Sequence, residues 1–313
     1  MQTKIVLGAT LAAQLLLAGA LFANRAGNEA AQAPVPWLEF PASDVTRIVI
    51  ADANDSTTLA RTGERWQLSD MQQLPANQGR ITSLLDDFGK LTTRWPVAQS
   101  ASGRERFEVS EDKFQRHLQL YNGDTLLGDF YFGTSPGFRQ THARRAGEDA
   151  VYAMAFNNFD LPVDANDWLD KGLLKASDVD RIEGDDYVVT RSGDEWQLTP
   201  GNEPDATAFD SSKAKSLATA LQNLQILRVA SSVPAGETSS ITAGSGKSSW
   251  VFRFTKADGT YYVQRSDLEQ AFTISAADYD RVAGLNRGSL LQAPSPTPAA
   301  EATAVTPAPA PAP

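Results

Sequence analysis

The stretch GTSPGFRQTHARR, from Gly133 to Arg145, gathers the residue types that could do chemistry. Gly133, Ser135 and Gly137 match the G-x-S-x-G pattern of a serine hydrolase, in which the serine sits on a strand-to-helix turn and the next backbone N–H helps to bind the oxyanion. Here the next residue is Pro136, which has no N–H to offer. The residues that follow carry no helical apolar period, and His142 stands too close to Ser135 for the Ser, acid, His order of that fold. The residues read as a Pro-Gly turn between strands. No catalytic residue is assigned, and the chain is expected not to be an enzyme.

Anion binding is the chemistry that survives in this stretch, with Gly137, Arg139, His142 and Arg144 as the candidate ligand-binding residues. In an extended segment His142 and Arg144 point to one face, and Gly137 lets backbone donors approach a ligand. The alternative is a solvated strand face whose arginines balance Glu148, Asp149 and Asp160. Metal binding has no support. His117 and His142 lie far apart, there is no cysteine, and the acidic run Asp164 to Asp170 places Trp168 and Leu169 where a calcium loop needs a ligand and a glycine. That run reads as a cap and turn before a short helix. His117 alternates with Gln119 and Tyr121, which puts it on the wetter face of a strand. Neither a P-loop nor a G-x-G-x-x-G stretch occurs, so no cofactor is expected.

The elements that must carry this stretch occur twice. Ser43-Asp44-Val45-Thr46-Arg47-Ile48 returns as Ser177-Asp178-Val179-Asp180-Arg181-Ile182, about 134 positions later. Arg61-Thr62-Gly63 with Trp66-Gln67-Leu68 returns as Arg191-Ser192-Gly193 with Trp196-Gln197-Leu198. Ile81, Leu84, Leu85, Phe88 and Leu91 then fall on one helical face, as do Ala214, Leu217, Ala218, Leu221 and Leu224. The turn Asn122-Gly123, entered by Leu118 and Leu120, matches Asp258-Gly259, entered by Phe252 and Phe254. Leu169-Asp170-Lys171-Gly172 matches Leu285-Asn286-Arg287-Gly288. Each copy therefore predicts an α+β domain, a mainly antiparallel sheet with one amphipathic helix. Trp66 and Trp196, recurring at matched places, are expected to pack in cores rather than to stack on ligands. The second copy lacks a counterpart of Gly133 to Arg145, and an insertion in one copy is where function is added to a scaffold.

The flanks differ in composition. Residues 5–23 form an uncharged apolar run, long enough for a helix to cross a hydrocarbon layer of roughly 30 Å. It is either a cleaved signal peptide or a retained signal anchor, and its length favours the anchor. Lys4 then holds the amino terminus inside and the body faces outward, into the periplasm of a Gram-negative cell. Residues 24–39 read as a tether, 40–174 and 175–292 as the two repeats, and 293–313 as a disordered Pro/Ala tail. A formal charge of −10 argues against nucleic acid as a partner, and the absence of cysteine removes disulfides and thiolate chemistry.

The apolar N-terminus, Ser43 to Ile48, Arg61 to Leu68, Phe132 to Gln140 with His142-Ala143-Arg144, and Trp168 to Lys171 together resemble one family. It comprises bacterial membrane-anchored proteins with a duplicated domain of unknown function, often encoded beside gliding-motility-type ABC transporter components. The resemblance covers most of residues 40–291. It implies a non-enzymatic inner-membrane protein, an accessory or docking component that contacts ABC transporter subunits or other envelope proteins, and it brings no catalytic residues to carry over. The alternative expectation is an extracytoplasmic binding module for a small anionic or glycan ligand.

Overall fold

The computed structural model describes residues 34–199, 209–246 and 248–292, together with Gln14. The expected membrane segment 1–23, apart from Gln14, most of the tether and the tail 293–313 lie outside the described residues. Among the described residues no helix is long and apolar enough to cross a membrane.

Two compact units divide between Lys171 and Gly172. In the first, the strands are β1 (Val35–Pro36), β2 (Arg47–Ala51), β3 (Ser56–Thr62), β4 (Arg65–Leu68), β5 (Leu74–Pro75), β6 (Thr92–Thr93), β7 (Arg116–Asn122), β8 (Thr125–Phe132), β9 (Thr141–Arg145) and β10 (Tyr152–Met154). Its α-helices are α1 (Gln78–Lys90) and α2 (Ala101–Arg106). An eight-stranded antiparallel sheet runs β10-β9-β8-β7-β2-β3-β4-β5, while β1 pairs with β6 apart from it. The second unit holds β11 (Arg181–Glu183), β12 (Val188–Ser192), β13 (Glu195–Leu198), α3 (Ser211–Gln222), β14 (Ile226–Ala230), β15 (Glu237–Ser245), β16 (Ser248–Ala257), β17 (Thr260–Arg265), β18 (Ala271–Ile274) and α4 (Ala276–Val282). Its eight strands run β13-β12-β11-β15-β16-β17-β18-β14, again antiparallel. The protein is thus mostly β-sheet with few helices, and two such sheets fit a tandem arrangement.

The sequence pattern explains these elements locally. In β2 the alternation Ile48, Ile50 sends two fully buried side chains to one face. The Asn77 side chain accepts from Arg80 N to cap α1, whose Ile81, Leu84, Leu85 and Phe88 face the sheet. Phe88 meets Phe130, Phe132 and Phe156, the last at 4.8 Å between ring centres. Asp210 caps α3 in the same way, and Ala214, Leu217, Ala218 and Leu221 are buried. Trp66 and Trp196 are each 5% exposed, opposite Arg61 and Arg191 in their hairpins, so both rings pack in cores at equivalent places. Trp37, which composition assigns to the tether, is fully buried against Phe130 and Tyr152; one large ring was diluted by its Ala- and Gln-rich neighbours.

Two side chains fix how the units correspond. Thr46 Oγ1 accepts from Gly123 N at 2.7 Å, and Asp180 Oδ2 accepts from Gly246 N at 3.0 Å. The β7–β8 turn at Gly123 therefore matches the β15–β16 turn at Gly246. The expected match to Asp258-Gly259 is incorrect, because that turn joins β16 to β17. An Asp-Gly pair marks a hairpin without saying which one. The closing bridges Ala76↔Leu169 and Phe209↔Leu291 likewise pair Leu169 with Leu291 rather than with Leu285.

Candidate binding site

With this correspondence, residues 133–140 join β8 to β9 where the second unit has only Asp258-Gly259 between β16 and β17. The loop starts at a forced glycine. A Cβ on Gly133 would lie 1.9 Å from Phe107 O and 2.4 Å from Glu108 O, so the backbone there admits no side chain. Thr134 N donates to Phe107 O at 2.9 Å and Gly133 N to His142 O at 2.9 Å, which pins the base of the loop. Ser135 Oγ lies 2.7 Å from both Gly137 O and Gln140 O, and Gln140 N donates to Gly137 O at 3.2 Å. The serine hydroxyl thus holds the turn together. Arg139 closes it in the left-handed region at φ 53°, an uncommon conformation for a side-chain-bearing residue.

The four candidate residues separate in space. Gly137 and Arg139 line a cavity of about 590 Å³, together with Thr134, Phe138, Gln140 and Phe159. Its rim carries the two most exposed large apolar side chains among the described residues, Phe138 at 92% and Phe159 at 82%. His142 and Arg144 do share a face of β9, as alternation requires, but that face is covered. Residues 94–115, including α2, lie over it and form a small core of Val109, Tyr131 and Val151 with Phe107 and Phe114 at its edge. Arg144 is 3% exposed. Its Nε donates to Val109 O at 2.6 Å, Nη1 to Glu148 O at 3.0 Å, and its guanidinium lies 4.9 Å from the Tyr131 ring centre. The His142 ring stacks on Phe107 at 4.0 Å, and its Nδ1 lies 2.8 Å from Thr134 O, which can only accept, so Nδ1 carries the proton. Burial pushes the His142 imidazole below its ordinary pKa, against the opposing bond to Thr134. His142 and Arg144 are therefore packing groups, and only the Gly137–Arg139 part of the cluster faces the cavity.

On the same face His117 stacks parallel to Tyr131 at 4.4 Å and places Nε2 2.6 Å from Asp129 Oδ1. Burial raises the Asp129 carboxyl, but the bonds from His117 and Gln119 outweigh it and hold the group below its usual range. Asp164 accepts from Asn166 N, so the acidic run forms the cap that its spacing suggested. Among the described residues no three His, Cys, Asp or Glu side chains group as metal ligands.

Sequence reasoning missed Arg145. Opposite Phe130 in the ladder, it donates to Trp37 O at 2.7 Å and lies 4.5 Å from the Trp37 ring centre. Arg265, opposite Phe252, donates to Leu173 O at 3.1 Å and to both Asp267 carboxylate oxygens. Each arginine thus ties the segment that enters its unit to the sheet. Arg145 and Arg265 fall 22 and 19 positions after the glycines of the corresponding turns, Gly123 and Gly246, so sequence spacing alone does not bring the pair into register.

A family model described as a domain of unknown function (DUF4340) matches residues 66–245, more than half of the chain. The chain belongs to the DUF4340 family. The match begins in β4 and ends with β15, so the 133–140 loop and its cavity fall within the DUF4340 region. No curated protein and no solved structure matches the chain.

Proposed function

We propose that this DUF4340 protein is a non-enzymatic envelope protein, held in a bacterial inner membrane by its N-terminal apolar segment with the body in the periplasm. It serves as an accessory or docking component of an ABC transporter system. The observation that carries the reading is the pair of rings Phe138 and Phe159, left 92% and 82% exposed beside the cavity of a loop that the second unit lacks. Apolar rings held out in water, Phe138 on the pinned loop and Phe159 on the neighbouring turn Asn158–Asp160, are the mark of a recognition surface. The matched hydrogen bonds at Gly123 and Gly246 support descent of the two units from one sheet-and-helix ancestor fused to itself.

A second reading, an extracytoplasmic module for a small anionic or glycan ligand, is favoured by the concavity itself, whose 590 Å³ suits a small molecule. Co-purification from detergent-solubilised membranes tests the first reading. Transporter subunits retained without added ligand by the parent chain and by Ser135→Ala, and lost from the Phe138→Ser/Phe159→Ser variant, support docking. Recovery of the chain free of envelope partners would sink it.

A further inference from the structure

We propose that the cavity beside the 133–140 loop binds a sugar bearing a carboxylate. The inference rests on the second reading above, and the docking reading stands or falls apart from it. Four features of the lining point to this class. Phe138 and Phe159 expose apolar rings at the rim, a surface that suits the C–H face of a pyranose, and the Arg139 guanidinium lies 5.9 Å from the Phe138 ring centre. The two ends of the loop are already engaged: Thr134 N with Phe107 O, His142 N with Thr134 O, Gln140 N with Gly137 O. With those positions filled, a peptide cannot add as a strand along the ends of the loop, and recognition falls mainly to side chains.

The amides supply polar groups of the kind that hydroxyls pair with. Asn157 Oδ1 accepts from Phe159 N, which leaves its NH₂ group as a donor at the cavity wall. Asn158 Nδ2 donates to Gln115 Oε1 and to Gly133 O; because the Gly133 carbonyl can only accept, the amide orientation is fixed. Asn158 also lines the cavity, and its Oδ1 is buried without a hydrogen-bond partner among the described residues. Finally, the cations of the lining differ. Arg116 is tied to Leu161 O, Gln115 O and Asp52. Arg139 is exposed and, among the described residues, makes no ion pair, so its guanidinium is the group placed to take a carboxylate in a two-point bond. The Asp258-Gly259 turn leaves no equivalent loop in the second unit, so each chain carries one such site.

The test is calorimetric titration of the full chain in detergent. The probes are a panel of hexuronate and nonulosonate oligosaccharides, their carboxyl-reduced counterparts, inorganic phosphate and an acidic peptide. The carboxylated sugars are expected to bind one per chain, with carboxyl reduction or Arg139→Gln weakening them roughly 10- to 100-fold. Phe138→Ala and Phe159→Ala should each weaken them about 10-fold, since all three side chains are exposed and the fold is unaffected. No binding by any acidic sugar, equal binding of the reduced sugars, tighter binding of phosphate or peptide, or affinity unchanged in Arg139→Gln would overturn the proposal. Loss of transporter subunits from the Phe138→Ser/Phe159→Ser variant alongside silent titrations would sink the sugar and leave docking in place.

Discussion

Replacing Gly133 by alanine tests what the G-x-S-x-G pattern is for. The added Cβ would meet Phe107 O at 1.9 Å and Glu108 O at 2.4 Å, both main-chain atoms that cannot rotate away. Relief to an ordinary contact requires the two backbones to part by about 1.5 Å, which stretches the Thr134 N to Phe107 O bond of 2.9 Å beyond hydrogen-bonding range. Overpacking of this kind costs about 1–3 kcal/mol and the lost bond about 1 kcal/mol more, so the first unit should lose roughly 2–4 kcal/mol. Gly137, by contrast, has nothing within 4 Å of its would-be Cβ and is not left-handed, so Gly137→Ala should change stability by no more than about 0.5 kcal/mol. Urea denaturation followed by tryptophan fluorescence measures both, with the first unit reporting through the buried Trp37, Trp66 and Trp168 beside the exposed Trp95. A Gly133→Ala chain that unfolds at the parent midpoint, or equal losses from the two alanines, would refute the reasoning.

Three further outcomes follow from the packing. Trp66→Ala and Trp196→Ala each remove a ring that is 5% exposed, and each should cost its own unit about 3–5 kcal/mol in chemical denaturation. Arg144→Gln should destabilise the first unit by about 2–3 kcal/mol, because a buried guanidinium loses its bonds to Val109 O and Glu148 O, while Arg139→Gln leaves the denaturation midpoint unchanged. His142 has a folded pKa below its ordinary value of 6.5, so its contribution to stability is complete above that pH and is lost as the pH falls below it. Denaturation midpoints between pH 7.5 and pH 5 should show this loss in the parent and a flatter profile in His142→Asn.

The helices were legible because burial of one face imposes a 3.6-residue period: Ile81, Leu84, Leu85 and Phe88 face inward as their spacing requires. Trp66 and Trp196 were legible as a recurrence, which a core enforces and a solvated surface does not. What failed was the reading of faces. Alternation places His142 and Arg144 on one side of β9 but cannot say that residues 94–115 will cover that side, since the cover comes from a segment remote in sequence. The turn at Asp258-Gly259 was misaligned for a similar reason, because its local chemistry specifies a hairpin and only Thr46 and Asp180, reaching across the sheet, reveal which one. Gly133 gave no sign of its role, as the constraint lies in the Phe107 and Glu108 carbonyls.

The exposed rim of the first unit is the center of this account, and site-specific photocrosslinking in intact cells addresses it directly. A benzophenone side chain at position 138 or 159 should yield an adduct containing an envelope transport subunit, and the same probe at Leu126, another exposed apolar position of that unit, should yield none. Adducts from position 126 with none from 138 or 159 would contradict it.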